Sequence, residues 1–263
     1  MPSDPVVKRK RRRPRGALER IEPGPDTPGL DRRLTVYLPP SYARGARHYP
    51  VIYLQDGQNL FDPEESFAGS WRVDIAMDQA AAKGFEGIAV GIPNAGEGRL
   101  AEYSPFDDPE GGPGRGNEYV SYMAETIKPL VDARYRTIPG RGTTCVAGSS
   151  LGGLISLYAF FARPDVFGAT AAMSPSLWYA GRAIFGVVES VPFQAGRIYV
   201  DVGRREGDET LEDARRLRDL LLAKGYRKGE QVRYVEDRAG GHEEAAWGHR
   251  IRGALPFLLA PAG

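Results

Sequence analysis

Short apolar and β-branched runs alternate with helix-period patterns along nearly the whole chain, and this alternation restricts the architecture more than any other feature. The runs are Ala17–Ile21, Arg33–Leu38, Val51–Leu54, Gly87–Ile92, Thr143–Ala147, Ala169–Met173, Arg197–Val202 and Gln231–Val235. Several are too uniformly apolar to be half-exposed, so they need cover on both faces. Helical spacing falls near Val73–Lys83, Glu118–Asp132, Leu151–Ala162, Leu211–Lys224 and Glu243–Leu259. This order predicts an α/β fold, a mainly parallel central sheet of about eight strands flanked by helices on both faces. In such sheets, binding groups gather at the carboxyl ends of the strands.

A chain of 263 residues, 41% of them hydrophobic, has enough material for one large core. The expected organisation is a basic, disordered arm over residues 1–16 and a single catalytic domain over 17–263. Lys8, Arg9, Lys10, Arg11, Arg12, Arg13 and Arg15 against Asp4 give the first 15 residues +6, leaving −5 for the remainder of a chain whose total is +1. The body therefore lacks the basic footprint of a nucleic-acid binder. No apolar stretch of about 7–15 residues follows the arm, which weighs against an export signal. No apolar run approaches the ~18 residues that span a membrane. Cys145 is the only cysteine, so no intrachain disulfide forms. A reducing, cytoplasmic setting fits.

Gly148-Ser149-Ser150-Leu151-Gly152-Gly153 lies between the Thr143–Ala147 run and a helical pattern starting at Leu151. Glycines around a serine at a strand-to-helix turn form the signature of a nucleophile elbow. Leu154, Leu157, Tyr158 and Phe161 then predict one buried helix face.

A nucleophilic serine needs a base, and the histidines are His48, His242 and His249. His48 sits in a polar loop and His249 within a predicted helix. His242 follows Gly240-Gly241 directly after the last strand, where a loop brings an imidazole over the sheet edge, and it is the favoured base. His242-Glu243 also begins a zincin motif, but Ala246 stands where the second histidine must be, so no metal or cofactor is expected. The acid should follow the strand Arg197–Val202. Glu206, Asp208 and Asp201 are the candidates in that order, Asp208 having a competing task as a helix N-cap.

Acyl transfer requires two oxyanion donors. Leu151 offers its backbone N–H. The second should come from the loop Asp56-Gly57-Gln58-Asn59 after Val51–Leu54, with the Gln58 N–H nominated and Gly57 allowing a close approach. Asp56, Arg99, Tyr103 and Trp178 fall on the same side and are the candidate substrate-binding residues, joined by Glu102, Ser104, Phe106 and Tyr179. Alternatively, Trp178 caps the core and Arg99 pairs with Glu102.

The chain resembles the enterochelin-esterase-like branch of the putative esterase family, within the α/β-hydrolases. The likeness rests on Tyr49–Phe61, Arg99–Pro105, Pro129–Thr137, Gly148–Gly153, Ser174–Trp178, Asp201–Glu206 and Gly241–Trp247, taken in order over about residues 30 to 259. It implies an α/β-hydrolase fold with Ser150 as nucleophile, His242 as base and the acid at Glu206. Leu151 stands where methionine is commoner, and Glu206 where many relatives carry aspartate. Relatives include siderophore, feruloyl and acetylxylan esterases and mycolyltransferases, so the resemblance does not name the ester. The function expected is a serine carboxylic ester hydrolase acting on a small acyl, aryl or siderophore-like ester, a small-molecule substrate. The alternatives are an acyltransferase using the same acyl-enzyme, and a non-catalytic binding protein tethered by its basic arm.

Overall fold

In the computed structural model, residues 15–66 and 68–260 are described. All of the expected arm except Arg15 and Gly16 lies outside them. The Gly16 N–H donates to the Asp78 carboxylate at 2.7 Å, which leads the chain into the first strand.

Eight strands form one sheet: β1 (Ala17–Ile21), β2 (Leu34–Leu38), β3 (Val51–Leu54), β4 (Ile88–Gly91), β5 (Thr144–Ser149), β6 (Ala169–Met173), β7 (Arg197–Gly203) and β8 (Val232–Asp237). Their spatial order is β1-β2-β4-β3-β5-β6-β7-β8. β1 and β2 pair antiparallel, as do β2 and β4, and every later neighbour is parallel. The four central strands β3, β4, β5 and β6 are buried at every residue, as their mainly apolar character requires, with Thr144, Ser149 and Thr170 as buried polar exceptions. The outer strand β1 is exposed except at Ile21.

Alternate strand residues feed two cores. Ile52, Leu54, Cys145, Ala147 and Ala171 pack against α1 (Val73–Ala81) and α8 (Glu244–Leu258). On the opposite face, Val51, Tyr53, Val90 and Val146 meet α3 (Gly116–Tyr122), α4 (Lys128–Arg134) and α5 (Leu151–Ala162). Ala172, Ile198 and Val200 meet α5, α6 (Tyr179–Ser190) and α7 (Asp208–Ala223) on that same face. A short helix, α2 (Arg99–Glu102), completes the set. Each fully buried Leu, Ile or Phe in these layers contributes about 1.5–3 kcal/mol.

The structure departs from the sequence reading in four local places. The expected helix Glu118–Asp132 is two helices joined by a π-type turn at Met123–Ile127. Pro129 has no N–H to give the Glu125 carbonyl, and the chain widens there. α5 is buried nearly all round, and Tyr158, like Leu151, is half-buried rather than a core anchor. α7 starts at Asp208 itself, with Gly207 as N-cap at φ 97°, so Asp208 occupies the first turn instead of the cap. α6 was not legible, because its start contains three consecutive left-handed residues, Ala180, Gly181 and Arg182.

Among the described residues, no helix is long and apolar enough to cross a membrane.

Candidate active site

β5, β7 and β8 run parallel, so the loops at their carboxyl ends meet on one edge of the sheet. β5 ends at Ser149, and Ser150 takes φ 56°, ψ −124° before α5 begins. Such a backbone costs an L-residue about 1–3 kcal/mol and persists only where the surroundings enforce it. Gly148 makes the turn possible: a Cβ there would lie 2.6 Å from the Gly152 backbone.

The loop after β7 carries Glu206 and the loop after β8 carries His242. Ser150 Oγ lies 3.0 Å from His242 Nε2, and His242 Nδ1 lies 2.8 Å from Glu206 Oε2. The Glu206 side chain is only 1% exposed, whereas that of His242 is 45% exposed, so the histidine opens to solvent and the acid does not. His48 and His249 are both exposed and away from this line.

The second oxygen of Glu206 is held from behind. Oε1 accepts Ser174 Oγ–H at 2.6 Å and the Gly203 N–H at 2.7 Å, and Arg250 Nη2 stands 3.5 Å away. Burial disfavours the charged acid, but the hydrogen bonds from His242, Ser174 and Gly203 outweigh it and hold the carboxyl below the ordinary glutamate range. The Ser174 hydroxyl accepts Trp247 Nε1–H at 3.0 Å and Arg250 Nη2–H at 2.6 Å. With both lone pairs taken by groups that only donate, its single proton must point at Glu206. Glu206 Oε2 is then left to accept from His242 Nδ1–H, which leaves Nε2 bare and facing the Ser150 hydroxyl. This tautomer is assigned by the hydrogen-bond network.

Asp201 and Asp208, the other acid candidates, lie elsewhere. Asp208 is exposed. Asp201 is fully buried, 3.0 Å from Arg250 Nε on an approach off the N–H axis. Burial pushes its carboxyl up to about 7 while Arg250 opposes the shift. Sequence reasoning missed Ser174, Trp247 and Arg250. A signal was available for the last: Ala246, Trp247, Arg250, Ile251 and Ala254 share one helical stripe, and an arginine inside an apolar stripe is a buried charge needing partners.

On the other side of Ser150, the turn after β3 holds Asp56, Gly57 and Gln58. The Gly57 N–H bonds to the Ile92 carbonyl and the Asn59 N–H to the Asp56 carbonyl, while the Gln58 N–H between them takes no protein acceptor among the described residues. Gly57 is required by β4 rather than by the serine, since a Cβ there would meet the Gly91–Ile92 backbone at 2.7 Å. The Leu151 N–H is the first amide of α5, and such amides lack intrahelical acceptors.

Asp56 and Arg99 form a two-pronged ion pair, at 2.7 and 2.8 Å. Burial works against the Arg99 charge and Asp56 more than offsets it. The pairing of Arg99 with Glu102 does not occur, because Glu102 is bonded to Arg32 at 2.8 Å. Arg99 is thus already neutralised by a carboxylate of its own chain. Tyr103 is fully buried and its hydroxyl accepts the Asp56 N–H at 3.0 Å, so it props the turn from beneath rather than walling a pocket. Trp178 is 56% exposed and does not cap the core. Its neighbours Leu177 and Tyr179 are buried and anchor it on either side. A cavity of about 1380 Å³ lined by Ser41, Asp74, Asp78 and Glu86 contains none of these residues. Among the described residues, no cluster of three or more metal-ligating side chains is present.

A sheet of this order, with a serine on the turn after β5 facing a histidine and an acid, defines the α/β-hydrolase fold. The sequence matches the family model described as "Putative esterase" over residues 26–258, and the chain belongs to that family; it is a carboxylic ester hydrolase of the enterochelin-esterase-like kind. It is 29% identical over 227 residues to the protein YbbA of Bacillus subtilis, covering 81% of this chain and 87% of YbbA. It is 32% identical over 140 residues to the siderophore triacetylfusarinine C esterase of Aspergillus fumigatus, covering 49% of this chain and 45% of that protein. The match thus spans about half the length of that relative. The solved structure of the siderophore hydrolase EstB from Aspergillus nidulans superposes with a TM-score of 0.70 at 20% identity, over 98% of this chain and 99% of EstB.

Proposed function

We propose that the chain cleaves carboxylic esters through an acyl-enzyme, with Ser150 as nucleophile, His242 as general base and then general acid, and Glu206 as the group that orients the imidazole. The observation that carries this reading is the unbroken line from Ser150 Oγ through His242 to Glu206, at 3.0 and 2.8 Å. The Ser150 proton passes to Nε2, Oγ bonds to the acyl carbon, and the carbonyl π pair moves onto oxygen. The Leu151 and Gln58 N–H groups take that oxyanion. Collapse releases the alcohol, which receives the proton from His242; water then repeats the sequence and releases the carboxylic acid.

The substrate we assign is a small acyl, aryl or siderophore-like ester. The exposed histidine leaves the mouth open to an incoming molecule, Trp178 offers an aromatic face, and relatives of this chain carry the names of siderophore esterases. The setting we assign is the cytoplasm, in keeping with Cys145 as a buried free thiol. Ser150→Ala tests the chemistry on a nitrophenyl acetate ester, where turnover is expected to fall by more than about 10³-fold. Equal turnover by the two proteins removes Ser150 from its role.

A further inference from the structure

The hydrogen bonds around Ser150 leave one donor unaccounted for. Ser176 is 3% exposed, and its Oγ lies 3.3 Å from Ser150 Oγ. No other partner meets that hydroxyl among the described residues. Its backbone N–H donates to the Ser150 carbonyl at 3.0 Å, which ties the residue to the strained elbow itself. The direction of the contact follows from the network. Ser174 must donate to Glu206, so His242 donates through Nδ1 and Ser150 donates its only proton to Nε2. The proton between the two serines therefore belongs to Ser176, and the Ser150 oxygen accepts it.

Resting on the acyl-enzyme reading, we propose that Ser176 is a further catalytic residue, a fixed donor to the nucleophile's oxygen that transfers no proton of its own. When His242 removes the Ser150 proton, charge builds on Oγ before and during bond formation, and a donor already aimed at it lowers that cost. In the acyl-enzyme the same oxygen is an ester oxygen and a poorer acceptor. During deacylation the bond from the acyl carbon to Oγ breaks, its electron pair returns to Oγ, and His242 supplies the proton while Ser176 steadies the departing alkoxide. Ser176 thus assists both half-reactions and has no part in ground-state binding. A buried hydroxyl with no other partner is otherwise a cost to the fold, and this role explains its place.

Pre-steady-state burst kinetics on nitrophenyl acetate test the assignment with Ser176→Ala, Ser176→Thr and Ser150→Ala beside wild type. Ser176→Ala is expected to slow the burst and the steady-state phase each by about tenfold, the lower range for a hydrogen bond to a charged group, with KM and melting temperature unchanged. Ser176→Thr, which keeps the hydroxyl, is expected to recover most of both rates. Ser176→Ala rates within twofold of wild type, or a loss confined to KM, overturn the inference while an inactive Ser150→Ala leaves the nucleophile reading standing. Retained turnover in Ser150→Ala overturns both.

Discussion

Glu206→Gln replaces one carboxylate oxygen by an amide nitrogen without changing the side chain's shape, and the structure dictates which way the new amide must face. With its nitrogen toward Ser174 and Gly203, N–H would meet donors held at 2.6 and 2.7 Å, with Arg250 a further 3.5 Å contact. Ser174 cannot become the acceptor, because Trp247 and Arg250 already occupy its lone pairs. Each unmet bond costs roughly 1–3 kcal/mol, so the amide settles with oxygen toward Ser174 and nitrogen toward His242. The imidazole then carries its proton on Nε2, the atom that has to accept from Ser150. A mis-set tautomer of this kind lowers serine-hydrolase turnover by about 10⁴, or about 5 kcal/mol of barrier at ~1.4 kcal/mol per tenfold. Steady-state hydrolysis of nitrophenyl acetate is expected to show kcat reduced by roughly 10³–10⁴ with KM within a few-fold. The exposed Asp208→Asn should stay within about twofold of wild type, since surface changes away from the site disturb little. A Glu206→Gln enzyme that keeps a tenth of wild-type kcat would refute the tautomer argument and with it the assignment of the acid.

Two further outcomes follow from charged groups near the site. Breaking the Asp56–Arg99 pair with Arg99→Ala leaves the buried Asp56 carboxylate with the Asn94 amide at 2.6 Å as its remaining side-chain donor among the described residues, so melting should fall by the equivalent of about 1–3 kcal/mol. Asp56→Asn in the same chain should recover part of that loss, and a strictly additive double-mutant cycle counts against the pair. Asp201 binds its proton more tightly in the folded chain than in the unfolded one, its carboxyl being pushed up to about 7. Its contribution to stability is therefore complete below the ordinary aspartate range and declines as pH rises toward about 7. Asp201→Asn is expected to flatten the fall in melting temperature across that window, and parallel slopes for the two proteins contradict the sign.

The residues legible in the sequence are those whose local neighbours dictate their setting. Ser150 is announced by flanking glycines, and His242 and Glu206 by the strands they follow, because a parallel sheet sends every such loop to one edge. What escaped depends on partners far apart in the chain. Arg99 chooses Asp56, 43 residues away, over the nearby Glu102, since Glu102 is claimed by Arg32. Tyr103 reads as an aromatic wall until the turn after β3 closes over it. Ser174 is one more small residue at a strand end until α8 brings two donors to its hydroxyl. α6 stayed hidden because Ala180 and Arg182 at its start take left-handed conformations against their own preference, and the Arg182 side chain is held by Asp213, 31 residues on.

Helix α8 reaches three parts of the site from one continuous element. Glu244 in its first turn accepts from Asn59 at 2.9 Å and from the Trp71 indole, bracing the turn after β3. Trp247 and Arg250 hold Ser174, and Arg250 pairs with Asp201 behind Glu206. His242 enters this helix only two residues later. Displacing α8 would remove the brace on the turn after β3, the two donors on Ser174 and the anchor just beyond His242 together. With Trp247, Ile251, Ala254 and Leu255 of α8 buried in the core, these supports are expected to be lost as a unit with the packing of the fold and not piece by piece.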